Sequence, residues 1–364
     1  MNRITPLRLF VLALIISFPS LAILPQFSLF LPALIFVLIA GIVGLTRKFV
    51  TREASAWRIS LYVVLWLACL FVITKMFVPE VDGGGDRDEA LDMAVRALLH
   101  GDYPYHGRTQ LGKPISPLPG TFLLSIPFVL LGDSGYQSFF WLVVLVIALR
   151  HWFRDARLAL VILLSILISP IIFLDVLFGG DLLANNIYVL VALFWFIRAC
   201  RRSSVSAPLW PSVFLGIALA SRPNFVFWVP LVFSFLVSRE RDIIWVTKWL
   251  LVAVGVAAAL TLPFLLYDPS HFSPLHAFDK VDVIPSLHVG YVIVAVTGLG
   301  ALGMSRLIRS EAALFRSGAI VQAIPVVLVV VLSIVTQESS VVLIERSIYA
   351  LNFVLPGIVA VLSD

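Results

Sequence analysis

The sequence has few charged residues. Asp, Glu, Lys and Arg make up 13% of the 364 residues, whereas hydrophobic residues make up 60% and the mean hydropathy is +1.04. Soluble domains contain about a quarter charged residues, so this composition excludes a soluble enzyme or a soluble nucleic-acid-binding protein. The two cysteines, Cys69 and Cys200, lie within or at the end of hydrophobic segments, which excludes a disulfide framework.

Long hydrophobic runs dominate the chain instead. Each run of about 18 or more apolar residues can cross a bilayer core of roughly 30 Å as a helix. The sequence therefore predicts an all-α polytopic membrane protein with about twelve transmembrane helices. The predicted spans are 8–24, 27–45, 58–79, one crossing within 117–149, 158–176, 182–199, 208–220, 224–238, 243–267, 287–307, 317–335 and 341–362.

Basic residues mark one side of the predicted spans. With the N-terminus placed inside, they fall in five cytoplasmic loops, as the positive-inside rule requires. They are Arg47, Lys48, Arg52, Arg150, Arg154, Arg157, Arg198, Arg201, Arg202, Arg239, Arg241, Lys248, Arg306, Arg309 and Arg316. The same orientation turns the polar loops 80–116 and 268–286, and the turns 179–181 and 221–224, toward the outside of the plasma (inner) membrane.

Two stretches allow more than one topology. The stretch 117–149 could hold two short spans, but the charge pattern requires one crossing, so 117–131 is predicted to be an interfacial or re-entrant helix broken at 132–135. The segments 208–220 and 224–238 are predicted as two spans, and one long helix kinked at Pro223 is the alternative.

The longest polar interval is residues 81–120. From Glu80 to Asp102, both included, there are seven acidic residues, and apolar residues recur there at helical spacing. The apolar residues are Leu91, Ala94, Val95 and Leu98. This pattern predicts an amphipathic helix on the membrane surface that ends at Gly101.

The acids at the start of this helix have more than one possible role. Asp86 can be the N-cap, with Glu89 completing a capping box, and Asp88 and Glu89 favour the positive end of the helix dipole. Alternatively, one carboxylate held at the membrane surface is a general base for an incoming hydroxyl group. The three acids could also supply oxygen ligands to a metal ion, but their spacing matches no specific metal loop.

Several stretches carry a family resemblance. In the first outer loop, acidic residues just past a span precede "LLHGDYPY" (98–105) and the proline-marked "PISPLPG" (114–120). "FGGDLLANNIYVLVALF" (178–194) leads from a turn into a span, and "GIALASRPNFVFWVPLVF" (216–233) joins a turn to a proline-bearing span. Together they resemble the GT-C glycosyltransferases, most closely the polyprenol-phosphate-mannose-dependent alpha-1,2-mannosyltransferases.

The resemblance covers roughly residues 58–286 and implies three regions. These are an N-terminal transmembrane hairpin with a basic loop at 1–57, a GT-C-like seven-helix catalytic module at 58–286, and C-terminal transmembrane helices at 287–364. In two places the sequence departs from the family pattern. "SPLP" replaces the paired prolines, and Arg222 stands where lysine is commoner.

The resemblance also implies a reaction. A sugar, mannose or another hexose, is transferred with inversion from a polyprenyl-phosphate donor to a hydroxyl group of a lipid, glycan or protein acceptor. Asp86 is the first choice for the base and Asp88 the second. The expected donor-phosphate ligands are Arg222, His276, Lys280 and Arg346, and the expected substrate contacts are Glu89, Tyr103, Tyr105 and His271. No cofactor, metal or nucleic acid is expected.

Each of these residues also has a purely structural interpretation. Arg222 can reach lipid headgroups, and His271, His276 and Lys280 can belong to a solvated loop. Tyr103 and Tyr105 suit an interfacial anchor. The sequence favours capping and anchoring of the following helix for Asp181, Asn185 and Asn186. Glu345 and Arg346, predicted to lie inside the last span, need partners of their own.

Two other classes of protein stay open. A lipid or small-molecule transporter or flippase of the cell envelope would also have about twelve spans and a few buried charges. A non-catalytic scaffold of the cell envelope would tolerate Asn at both Asp86 and Asp88. The concentration of polar residues in the outward loops, instead of at mid-membrane, favours the glycosyltransferase.

Overall fold

The computed structural model describes residues 5–20, 30–77, 86–201, 208–238, 242–275, 289–336 and 346–363. These residues are mainly helical, as the sequence predicts. The helices are α1 (Pro6–Ser17), α2 (Phe30–Phe49), α3 (Glu53–Phe77), α4 (Arg87–His100), α5 (Pro119–Leu130), α6 (Tyr136–Phe153), α7 (Ala156–Leu167), α8 (Pro170–Leu177), α9 (Leu182–Arg201), α10 (Leu209–Leu219), α11 (Trp228–Val237), α12 (Ile243–Tyr267), α13 (Val289–Ser305), α14 (Glu311–Val335) and α15 (Leu351–Ser363). Short 3-10 helices lie at Phe18–Ser20, Pro104–His106, Pro223–Phe227 and Ile348–Ala350.

Six of the described helices are long and apolar enough to cross a membrane: α2, α3, α6, α9, α12 and α14. The remaining apolar helices of the described ranges are shorter. The length and apolar composition of these helices support the prediction of a helical membrane protein. The count of twelve crossings, the seven-helix module and the three-region division stay predictions.

Helix breaks follow the prediction in two places and depart from it in a third. The chain breaks between α5 and α6, at 131–135, and between α10 and α11, where a turn and a 3-10 helix exclude one long kinked helix. The predicted span 158–176 is not one continuous helix, because α7 ends at Leu167 and α8 begins at Pro170. Proline lacks an amide hydrogen and disfavours helical backbone in the residue before it, so the chain turns at Ser169.

One large buried core joins helices from all three predicted regions. It includes Leu12 of α1, Leu193 of α9 and Val354 of α15. The α9 helix lies at the centre of this core, where it contacts α6, α10 and α15, and most of its side chains are buried. An apolar surface all round suits a helix surrounded by other helices.

The predicted cytoplasmic loops meet at one end of the bundle, called here the basic end. Arg150 Nη2 lies 3.8 Å from Glu53 Oε2, and Arg198 Nη1 donates a hydrogen bond of 3.2 Å to the carbonyl oxygen of His151. Arg201 forms an ion pair with Glu311. These contacts confirm the grouping of four of the five loops, all except 239–248, although the structure does not show which side of a membrane this end faces.

The amphipathic helix has the predicted extent and face. The α4 helix ends at His100, and Gly101 follows with φ of +83°, a left-handed conformation that glycine adopts without strain. Leu91, Ala94 and Val95 are fully buried. Their partners are protein side chains, including Phe122 of α5, and not the membrane surface that the sequence predicts.

Candidate functional site

Polar turns collect at the end of the bundle opposite the basic end, called here the turn end. The turn at 179–181, between α8 and α9, is its centre. The start of α4 lies on one side of this turn, since a Cβ atom on Gly179 would lie 3.2 Å from Asp88 Oδ2. The turn at 221–222, between α10 and α11, lies on another side, since Arg222 binds Asp181. The helix breaks therefore bring residues from distant parts of the sequence together.

Arg222 and Asp181 form a buried ion pair. Their side chains are 8% and 1% exposed, and Arg222 Nη2 donates to Asp181 Oδ2. Asn185 Nδ2 donates to the same oxygen at 3.0 Å. The sequence prediction that Arg222 needs a partner is confirmed. The alternative in which it extends to lipid headgroups is wrong, because its guanidinium is enclosed by protein.

A second arginine lies beside this pair. Arg87, the first residue of α4, places Nη1 3.9 Å from Oδ1 of the buried Asp175. Its guanidinium carbon lies 5.1 Å from the centre of the Tyr349 ring. Asp175 interacts electrostatically with Arg87, Asp181 and Arg222, and Arg222 interacts with Tyr349. Arg87, Asp175, Asp181, Arg222 and Tyr349 are called here the arginine cluster.

Three atoms of the arginine cluster are buried without a hydrogen-bond partner among the described residues. They are Arg87 Nη1, Arg222 Nε and Asp181 Oδ1. A buried polar group without a partner costs about 1–3 kcal/mol, and more when it is charged. Such groups call for a ligand or an ordered water molecule. Two donors and one acceptor fit a molecule that carries both anionic oxygens and hydroxyl groups.

The arginine cluster depends on a glycine in the central turn. A Cβ atom on Gly180 would lie 2.0 Å from Asp175 Oδ1 and 3.0 Å from the carbonyl oxygen of Asp175. Asp175 cannot move aside freely, because its Oδ2 accepts a hydrogen bond of 3.3 Å from the amide of Leu183. Only glycine therefore fits between this carboxylate and the turn.

The carboxylate of Asp88 forms an ion pair with a lysine. Its Oδ2 forms an ion pair with Lys75 near the end of α3, and Lys75 also lies 3.3 Å from Asp133 Oδ2. Its Oδ1 accepts a hydrogen bond of 2.9 Å from the amide of Glu89. Both oxygens of Asp88 are therefore engaged.

Asp86 has a different environment. Its Oδ2 accepts a hydrogen bond of 2.5 Å from the hydroxyl of Thr109, and its Oδ1 lies 4.0 Å from Lys113 Nζ. Asp86 occupies the N-cap position of α4 but makes no capping bond, and Glu89 instead accepts from the amide of Gln110 at 3.1 Å. The predicted capping box is therefore wrong, because loop 107–113 folds back onto both carboxylates.

The three acids do not converge on one point. Asp86 contacts Thr109, Asp88 contacts Lys75, and Glu89 contacts the backbone of Gln110. Thr109 and Gln110 are neighbours in loop 107–113, whereas Lys75 lies near the end of α3. The arrangement gives no shared set of oxygen ligands for a metal ion at the start of α4.

The two tyrosines after α4 donate hydrogen bonds to backbone carbonyls. Tyr105 is buried, and its hydroxyl donates to the carbonyl of Pro117 at 3.0 Å. The hydroxyl of Tyr103 donates to the carbonyl oxygens of Phe264 and Asp268 at 2.9 and 3.1 Å. Burial raises the pKa of Tyr103 to about 12 and raises the pKa of Tyr105 well above its ordinary value. Tyr105 is therefore a core residue and not an interfacial anchor.

His271 belongs to a group beside the end of α12. Its Nδ1 lies 2.8 Å from Asp268 Oδ2, and His106 Nε2 lies 3.0 Å from the same oxygen. Hydrogen bonds from His106, Ser270 and His271 hold the pKa of Asp268 below its ordinary value. His271 thus lies with His106 of the first loop, and both imidazoles are exposed.

The other predicted phosphate ligands do not add to the described site. His276 and Lys280 lie outside the described residues, as does Glu345. Arg346 donates a hydrogen bond of 2.6 Å to the hydroxyl of Ser333 on α14. Arg346 therefore lies near the C-terminal end of α14, at the turn end, but of the two described candidates only Arg222 belongs to the arginine cluster.

The residues after the central turn anchor the bundle, but not as predicted in every case. Asn186 Nδ2 donates to Asn352 of α15 at 3.0 Å, which ties α9 to the C-terminal helix. Asn185 accepts a hydrogen bond from the Tyr188 hydroxyl. The capping interpretation of Asp181 is wrong, because its carboxylate pairs with Arg222.

Sequence reasoning missed Arg87 and Asp175. Asp175 carried a usable signal, since an ionisable residue inside a predicted span is rarely without function or partner. Arg87 carried none, because a single arginine at the start of a surface helix is usually solvated. Its contact with Asp175 depends on how α4 is placed against the central turn.

Known proteins give no independent assignment for this site. Comparisons of the chain with protein-family models, with curated proteins and with solved structures give no match. The resemblance to the GT-C glycosyltransferases stays a prediction from the sequence. The function is therefore inferred from the contacts of the residues themselves.

Proposed function

We propose that the protein is an integral-membrane glycosyltransferase of the GT-C type. It transfers a hexose such as mannose, with inversion, from a polyprenyl-phosphate donor to a hydroxyl group of a lipid, glycan or protein acceptor. The turn end of the bundle faces the extracytoplasmic side of the plasma membrane in this proposal. The positive-inside rule supports that orientation, since the basic loops lie at the opposite end.

The observation that carries the proposal is the set of unpartnered atoms in the arginine cluster. Arg87 Nη1 and Arg222 Nε are donors suited to phosphate oxygens, and Asp181 Oδ1 is an acceptor suited to a sugar hydroxyl. A sugar phosphate offers both kinds of partner in one molecule. A ligand with a phosphate alone would satisfy the two donors but leave the Asp181 oxygen unpaired.

The reaction needs a base and a stabilised leaving group. The acceptor oxygen bonds to the anomeric carbon on the face opposite the phosphate, and its proton passes to a carboxylate. The bond between the anomeric carbon and the phosphate oxygen breaks with its electron pair, and polyprenyl phosphate leaves. Guanidinium groups beside the leaving phosphate stabilise the charge that develops on it.

Asp86 is the base in this proposal. Asp88 pairs with Lys75 through one oxygen and accepts a hydrogen bond from the amide of Glu89 through the other, so both of its oxygens are engaged. The ion pair of Asp86 is longer, since Lys113 Nζ lies 4.0 Å from its Oδ1, and the Thr109 hydroxyl fixes the orientation of the carboxylate. A fixed, half-buried carboxylate one residue from Arg87 is suited to accept a proton near the donor phosphate.

Sugar transfer into membranes tests the proposal. Radiolabelled polyprenyl-phosphate mannose, glucose and arabinose are supplied to membranes containing the wild type, Asp86→Asn or Asp88→Asn at matched expression. Removal of a general base lowers turnover by about 10²–10⁴-fold. We expect that loss for Asp86→Asn and a smaller loss for Asp88→Asn.

The matched control is Asp102→Asn, since Asp102 is an exposed acid of the same loop. It should retain wild-type transfer. Equal incorporation by Asp86→Asn and the wild type would reject Asp86 as the base. Incorporation by the wild type no greater than in membranes without the protein would reject the enzyme, and accelerated movement of the donor across vesicles would then indicate a flippase.

A further inference from the structure

The group around Asp268 has the composition of a transition-metal site. His106, Asp268 and His271 each offer one ligand atom, and these three atoms lie within 4.8 Å of one another. Both imidazole nitrogens lie within 3.0 Å of the same oxygen, Asp268 Oδ2. The group is separate from the arginine cluster, and the proposed glycosyl transfer does not use it as a metal site.

Neighbouring residues hold two of the ligands in place. The second oxygen of Asp268 accepts hydrogen bonds from the Ser270 hydroxyl at 2.6 Å and the His271 amide at 3.2 Å. The Tyr103 hydroxyl binds the carbonyl of Asp268, and the Tyr103 ring lies against the His106 ring with centroids 4.8 Å apart. Such supporting contacts orient ligands and typically change metal affinity by about 10–100-fold.

The chemistry of the three ligands favours a transition metal. Two imidazoles with one carboxylate suit zinc, whereas magnesium and calcium prefer oxygen ligands alone. Zinc bonds to nitrogen and oxygen are about 2.0–2.2 Å long, so the ligand atoms of a tetrahedral site lie about 3.3 Å apart. The present spacings of 2.8 and 3.0 Å need to open by only a few tenths of an ångström to admit the ion.

We propose that His106, Asp268 and His271 bind one zinc ion at the turn end of the protein. Zinc bound here takes the lone pairs of His106 Nε2 and His271 Nδ1, and the imidazole protons move to the other ring nitrogens. A water molecule completes the tetrahedral shell. The ion connects residues 162 positions apart in sequence and so holds the first outer loop on the end of α12.

Zinc titration of the full-length protein tests this site. The protein is purified in detergent without a histidine tag, stripped with EDTA and titrated with zinc in competition with a fluorescent chelator. The variants are His106→Ala and His271→Ala. The matched controls are His100→Ala on α4 and His151→Ala at the basic end, both exposed histidines with a hydrogen bond only to a backbone carbonyl in the described chain.

We expect one zinc per wild-type chain and at least tenfold weaker binding by each ligand variant, with both controls unchanged. Zinc should raise the midpoint of thermal unfolding of the wild type and the controls, but not of His106→Ala. Equal midpoints in EDTA establish that a variant is folded, and His106→Gln replaces the alanine variant if they differ. Binding that is absent from the wild type, or equal in wild type and ligand variants, overturns the proposal.

The zinc site and the glycosyltransferase proposal can each be rejected without rejecting the other. Zinc binding is measured without donor or acceptor, and the Asp86→Asn variant should retain it. Wild-type transfer activity with no zinc bound would reject the metal site alone. Zinc binding by a protein without transfer activity would reject the proposed reaction alone.

Discussion

The two ends of the bundle each hold an arginine paired with an acidic residue. At the basic end, the side chains of Arg201 and Glu311 are 41% and 30% exposed. At the turn end, those of Arg222 and Asp181 are 8% and 1% exposed. The same chemistry therefore occurs once in contact with solvent and once enclosed by protein.

Burial changes how much such an ion pair contributes to the free energy of unfolding. An exposed pair exchanges water for a partner at little net gain, typically about 0–1 kcal/mol. A buried pair carries a desolvation cost that its mutual attraction only partly offsets, and its remaining donors and acceptors need partners of their own. Arg222 Nε and Asp181 Oδ1 lack such partners among the described residues. The buried pair is thus the one suited to binding a ligand.

Replacing Arg222 with methionine should have the largest effect on stability. It leaves Asp181 as a buried charge without its arginine, which costs about 3–5 kcal/mol of unfolding free energy. The midpoint of thermal unfolding in detergent measures the loss. A midpoint within error of the wild type would show that the pair is not enclosed.

The double variant Arg222→Met/Asp181→Leu sharpens that result. It removes both charges and should recover much of the loss, because no uncompensated buried charge is left. The difference between the double variant and the sum of the single variants gives the coupling of the two residues. Additive losses would contradict a direct pair.

Gly180→Ala should have an intermediate effect. The new methyl group would displace Asp175 from its contacts with Arg87 and Leu183, and overpacking of this kind costs about 1–3 kcal/mol. Transfer activity should fall with stability, because Arg87 loses its partner. Gly255→Ala is the control, since a Cβ atom there has no neighbour within 4 Å. Equal midpoints for both variants would mean that the central turn can relax.

Arg201→Met should have the smallest effect. Its exposed pair with Glu311 accounts for about 0–1 kcal/mol. The midpoint of thermal unfolding should change little, and raised salt should reduce even that change. A loss as large as that of Arg222→Met would remove the distinction between the two ends.

The sequence predicted those features that depend on local pattern. The spacing of Leu91, Ala94 and Val95 predicted the buried face of α4, and Gly101 predicted its end. Proline and glycine predicted the breaks at 131–135 and 220–222, and the distribution of basic residues predicted which loops share one end. Pro170 carried an equally clear signal for the break between α7 and α8, which was overlooked inside a long apolar run.

The candidate site could be predicted only in part. Arg222 was identified because a guanidinium between two apolar helices needs a partner, yet the choice of Asp181 over another acid was not predictable. Asp86 and Asp88 were grouped by their spacing in sequence. Their separate contacts with Thr109 and Lys75 follow from the fold of loop 107–113 and the position of α3.

The sequence by itself determined the helical membrane class, the extent of α4 and the grouping of basic loops, because hydrophobic periodicity, helix-breaking residues and charge act over a few residues of chain. The tertiary structure decided which charged groups meet. Arg222 and Asp181 are 41 residues apart, and His106 and Asp268 are 162 apart. No local pattern fixes such contacts, since they depend on how whole helices pack and on where the turns between them come together.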